Sequence, residues 1–240
     1  MKLMLRSMFS QKKRIDEGLL LETMQAIEAY RAFIRKQKDQ GRTSRPYSLD
    51  RLELHIHGFE RALDELEQSK YACEQSGAAI GGKRNLEEMN ASEWDHYRRH
   101  VYFYKNAFIR VFSILDKLGH IMNQVLDLKT ERVKSRFSYF TVLRQMHDKK
   151  TLPELETRLY QLKNNHQEAL SKLRSQRNME IHSLNAEMAD DVKNAGSSDD
   201  DGLTPVENIK ANMNDLSSCY EMVCRTLLLT FTFLKSKRIC

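Results

Sequence analysis

Helix-breaking residues are scarce in this chain of 240 residues, which has three prolines and nine glycines. Proline removes a backbone donor and glycine costs helix stability, so long segments are left free to be helical. No segment sustains the two-residue alternation of a half-buried strand, and a sheet is not required. Long apolar runs are missing too. The longest, Thr226 to Leu234, is far too short to cross a bilayer. The four cysteines (Cys73, Cys219, Cys224, Cys240) form no CxxC and stand in no zinc-like spacing with histidine. They read as reduced thiols in a cytoplasmic protein. Met1 to Phe9 is apolar and basic but lacks a small-residue cleavage site, so it does not read as a signal peptide. A glycine-rich phosphate loop, a metalloprotease histidine pair and a GxSxG are all absent, and neither a metal nor a cofactor is implied.

What remains is charged and helix-forming. Charged residues make up 30% of the chain and hydrophobic ones 40%, enough for a core. Lysine and arginine (39) exceed aspartate and glutamate (33), giving a formal net charge of +6. That excess is mildly favourable to polyanions such as RNA. It also fits a solvated helical surface.

The periodicity predicts a first helix over about 12–38, carrying Leu19, Thr23, Ala26, Ile27, Tyr30, Phe33 and Ile34 at helical spacing. A second, opened by Ser48 and running to about Gln75, carries Leu52, Ile56, Phe59, Leu63 and Leu66. Ser92 is placed to cap a long third helix, in which Val101, Tyr104, Phe108, Val111, Leu115, Leu118, Met122 and Val125 repeat every three or four residues. A fourth helix spans about 134–147. A fifth restarts at Leu152-Pro153 and carries Leu155, Leu159, Leu162, Leu170, Leu173, Ile181, Leu184 and Met188. The segment 190–204 is acidic and small, and reads as a mobile loop. Thr204 and Pro205 then stand as cap and first residue of a last helix. Residues 1–90 are expected to form an N-terminal hairpin and linker, and 91–240 a helical bundle.

One stretch breaks the apolar pattern of the fifth helix. Between Leu173 and Ile181, position 177 falls in the seam by spacing, yet it is arginine. Asn178 and His182 are four apart and share one flank, with Arg174 a turn earlier. Arg177 and His182 are about 140° apart around a regular helix, so only the long arginine can bring both groups to one ligand. The residue types suit phosphodiester cleavage without a metal. Imidazole, which ordinarily titrates near neutrality, can move a proton at a ribose hydroxyl or a leaving oxygen. Guanidinium can stabilise charge on phosphoryl oxygens, and Asn178 can orient either group. A structural reading stands beside this one, with Arg177 paired to a carboxylate and His182 partly exposed. A single histidine performs half of a two-proton reaction, and a second copy of the chain would supply the other.

Arg177-Asn178-x-x-x-His182 in a helical bundle of this size resembles the motif of the HEPN superfamily. The resemblance covers about Ser92 to Leu234. It implies an all-α, up-and-down helical bundle with an N-terminal helical hairpin extension. It further implies binding of RNA or a nucleotide, metal-independent endoribonuclease chemistry and a homodimer. By likeness Arg177 and His182 would be catalytic, with Asn178 and Arg174 contacting the substrate. Some branches bind only nucleotides or partners, which leaves a non-catalytic interaction module with a remnant motif as the alternative. The hairpin could then grip a protein partner. Where another branch carries a tyrosine that becomes modified, two residues after the histidine, this chain has Leu184. Elsewhere, Arg51 to His57 satisfies only the loosest form of the motif, and Arg84-Asn85 is followed by Met89 where histidine would stand. His166 lies in the same seam. Arg110 and Asp116 fall on the polar side of the third helix, and Asp148-Lys149-Lys150 and Lys235 to Arg238 are short charged runs of the kind that can touch phosphate.

Overall fold

The computed structural model describes residues 16–41, 48–83, 85–182, 206 and 208–240. Seven α-helices account for most of these residues: α1 (Gly18–Asp39), α2 (Leu49–Ala78), α3 (Ala91–Val125), α4 (Tyr139–Asp148), α5 (Pro153–Asn165), α6 (Gln167–His182) and α7 (Ile209–Ser236). Two short 3-10 turns, Leu86–Glu88 and Thr130–Arg132, lie between helices. No strand occurs among the described residues, and the all-α expectation holds. No helix among them is long and apolar enough to cross a membrane. The expectations for residues 12–15, for the acidic segment 190–202 and for the Thr204-Pro205 cap lie outside the described residues.

Local chemistry sets the helix starts. Asn90, rather than Ser92, caps α3: its Oδ1 accepts from the Ser92 and Glu93 amides at 2.9 and 3.0 Å. The Glu93 carboxylate in return accepts from the Asn90 amide at 2.9 Å, closing a capping box. Asn208 caps α7 through the Ala211 amide at 2.9 Å, so that helix begins at Ile209, beyond Pro205. The predicted fifth helix is two helices. The break falls at His166 (φ −112°), after Asn164 and Asn165, where no proline or glycine announces it.

The residues group into two compact units, and these do not follow the expected division at residue 90. Helices of 30 and 35 residues are about 45 and 52 Å long at the α-helical rise, long enough for different turns to serve different clusters. One unit gathers α1 with residues 49–64 of α2, 111–125 of α3, α4, α5 and the end of α7. Its core is aromatic: Tyr30 and Phe59 each meet Phe231, with ring centroids 5.4 and 5.5 Å apart. Asp116 of α3 accepts the Tyr139 amide at 3.1 Å and so holds the first turn of α4. Gly119 makes that approach possible, because a Cβ there would lie 2.8 Å from the Tyr139 Cα. Asp116 is therefore a structural residue.

The other unit gathers residues 65–110, spanning the end of α2 and the start of α3, with 168–219, which hold α6 from its second residue and the start of α7. Here Ile80, Leu86, Met89 and Tyr97 form a buried cluster, flanked by Trp94, Val101, Val206 and Ile209. Arg110 is tied to the Glu65 carboxylate and, at 2.6 Å, to Asn106, which also accepts from Ser69. That arginine frames no cleft; it fastens α3 to α2.

Candidate functional site

The candidate residues lie on α6, whose buried face changes character along its length. Ala169, Leu170 and Leu173 are buried and supply the apolar half. One turn later the same face becomes polar. The Tyr104 hydroxyl of α3 donates to the Gln176 side-chain oxygen at 2.8 Å, and the Lys105 ammonium meets the Glu180 carboxylate at 2.9 Å. Residues 169, 173, 176 and 180 follow the 3.6-residue period along one face of α6, which places Arg177 at the rim of this face rather than at its centre. The seam expected through Arg177 to Ile181 is thereby corrected: Ile181 is exposed, at 51% of its full area, and so is Met179 at 49%. Both follow from the helix turning its polar residues, not its aliphatic ones, toward Tyr104 and Lys105.

Arg177 is half-buried, and its guanidinium donates to the Asn178 Oδ1 at 3.2 Å. Asn178 and Arg174 are exposed on the neighbouring strip. The helix remains continuous to His182, so the backbone spacing of motif positions is that of a regular helix. The His182 side chain lies outside the described residues, as do Leu184 and Met188. Four of the residues that hold this end of α6 carried no signal in the sequence. Tyr104 looked like one more core aromatic, and Lys105, Gln176 and Glu180 like surface residues; their pairing joins positions more than seventy apart.

Other suggested positions serve the scaffold or other surfaces. Lys149 donates to the Leu128 carbonyl and so ties the end of α4 to the turn after α3. His166 lines a groove of about 810 Å³ in the aromatic unit, where α5 and α7 bring together Arg158, Arg225, Phe233 and Lys237. Burial lowers the His166 pKa from its ordinary value. Among the described residues no group of three or more His, Cys, Asp or Glu side chains is arranged to hold a metal ion.

Residues 55–235 match the Cthe2314-like HEPN family, about three quarters of the chain. The chain belongs to the HEPN family. The match takes in α6 with its motif and begins within α2, well before the Ser92 boundary suggested by the motif alone. The helical architecture is thus that of a HEPN-type bundle, and most of the second helix belongs to it. No curated protein and no solved structure matches the chain.

Proposed function

We propose that this HEPN protein binds RNA in the cytoplasm and cleaves it without a metal, as a homodimer in which two copies of the α6 motif meet at one cleft. The carrying observation is the arrangement on α6. Arg177 leans on Asn178 at the rim of a face held by Tyr104 and Lys105, and Arg174 lies on the exposed strip beside them. The Arg177 side chain is half-buried at the rim of that face and long enough to turn toward a phosphate, while Glu180 is engaged by Lys105. His182 would move the proton of the attacking or leaving ribose oxygen, and Arg177 would stabilise the charge that develops on phosphorus-bound oxygens. Asn178 would hold the guanidinium, and Arg174 a flanking phosphate. The exposed Met179 and Ile181 support a protein surface covering this end of α6, which the second copy would provide.

The test is cleavage of a labelled single-stranded RNA in EDTA. The wild-type protein should cleave, and His182→Ala should not, while retaining the wild-type circular dichroism and RNA affinity. Equal treatment of RNA by the two proteins would sink the enzymatic reading. The same two exposed apolar side chains favour a second reading, a non-catalytic module that docks a different protein there. In that case Ile181→Asp would abolish partner binding, and neither protein would cut RNA.

A further inference from the structure

Away from α6, the unit built on residues 65–110 and 168–219 holds an unusual set of donor atoms. The Cys73 Sγ lies 3.3 Å from the His100 Nδ1 and 3.3 Å from the Met213 Sδ. Cys73 and His100 are buried, at 0% and 2% exposure, and Met213 is half-buried. Met213 also lines a cavity of about 580 Å³ with Glu74, Gly77, Lys83, Ile209 and Lys210, so the cluster has a path to solvent past the thioether. Gly77 lets the imidazole sit against α2, since a Cβ there would come within 2.8 Å of the His100 Nδ1. The His100 Nε2 is buried without a hydrogen-bond partner.

We propose that Cys73, His100 and Met213 form a binding site for a soft monovalent metal ion, Cu(I), independent of the RNA chemistry assigned to α6. The donor types decide the metal. Thiolate and thioether sulfur select soft ions, and imidazole suits copper. Met213 supplies the third donor, a type outside the usual His, Cys and carboxylate set. Gaps of 3.3 Å between donors are spanned by a single ion with bonds of about 2.0–2.3 Å, the range for nitrogen and sulfur ligands on a metal of this size. Charge decides the oxidation state. Cys73 is fully buried, where a net charge is costly. Cu(I) with one thiolate is neutral overall, and a divalent ion would leave a buried positive charge.

Binding balances simply. The S–H bond of Cys73 breaks as the S–Cu bond forms, and the proton leaves to solvent. The His100 proton, now donated from Nδ1 to the Cys73 carbonyl at 2.9 Å, passes to the free Nε2, and Nδ1 becomes a ligand. The Cys73 carbonyl keeps its helical partner within α2. No electron is transferred.

The test is an anaerobic titration of the whole protein with Cu(I) against bicinchoninate as competing chelator. The wild type should withdraw one equivalent, release one proton and gain a near-ultraviolet thiolate-to-copper band. Cys73→Ser should lose the band and at least tenfold in affinity. Met213→Leu, which keeps the apolar volume, should lose affinity while melting like the wild type. Cys240→Ser should bind as the wild type does. Failure of the wild-type protein to compete, or unchanged affinity in both Cys73→Ser and Met213→Leu, would overturn the proposal. Neither result would touch cleavage in EDTA, so this site and the α6 motif stand or fall apart.

Discussion

The two halves of α6 are held by different forces. The first, around Ala169, Leu170 and Leu173, is fixed by burial, which is tolerant of direction and roughly proportional to area. The second is fixed by two directional contacts, Tyr104 to Gln176 and Lys105 to Glu180. Burial gives the helix its place, and the polar pair sets its rotation at the motif. A helix rolled by one residue would turn Leu173 out of the core and carry Arg177 away from the rim. The proposed chemistry would need both, because effective transition-state stabilisation requires groups fixed before the substrate arrives.

That contrast can be broken from either end. Removing the chemistry should have the largest effect: Arg177→Ala is expected to lower RNA cleavage roughly 10²–10³-fold, as loss of one oxyanion donor does. Its urea midpoint should stay close to that of the wild type. An unchanged cleavage rate would remove Arg177 from the reaction. In the apolar half, Leu173→Ala should destabilise the protein by about 2–5 kcal/mol, seen in urea denaturation, through lost burial and a cavity. Tyr104→Phe keeps the ring and deletes the hydroxyl, for about 0.5–1.5 kcal/mol. It should cost more in cleavage than that stability loss explains if the bond sets the roll of α6. Equal losses in Tyr104→Phe and in a core variant of matched stability would deny the positioning role. The smallest effect is expected from Glu180→Gln, at most about 1 kcal/mol, shrinking as salt rises.

A pH prediction separates the donor cluster from both halves of α6. Burial lowers the His100 pKa below its ordinary value near 6.5. The unfolded chain then binds a proton that the native one refuses, so the His100 contribution is full above about 6.5 and is lost as pH falls below it. His100→Gln should flatten the fall in stability between pH 7 and 5. An unaltered slope would mean that other groups, such as His55 and His166, whose pKa values are also lowered, carry it.

Much of the fold is legible in the sequence. Along the stripe of α3, Tyr104, Phe108, Val111, Leu115, Leu118 and Met122 are buried and only the end members Val101 and Val125 are half-buried, because a continuous stripe on a long helix leaves few alternatives. Leu52, Ile56, Phe59, Leu63 and Leu66 are buried too. The stripe on α6 misled because it is short. With Leu170 and Leu173 as its only firm points, Ile181 was extrapolated inward, and the helix had already turned Gln176 and Glu180 to that side. The His166 break was invisible for a related reason: the chain ends a helix there without a conventional stop signal. As for the Cys73, His100 and Met213 set, its members are 27 and 140 residues from the cysteine, and no local pattern joins them.

Gly119 bears on how this protein can drift in sequence. Its neighbours Leu118 and Ile121 contact the core with side chains, and another aliphatic of similar volume can replace either at modest cost. Position 119 offers no such exchange, because the backbone of Tyr139 occupies the space that even a methyl group would need. A saturation library across α3 should therefore show broad acceptance on either side of a single intolerant site. Recovery there would come from changes at the start of α4, which makes 119 and the 138–140 turn one unit of inheritance.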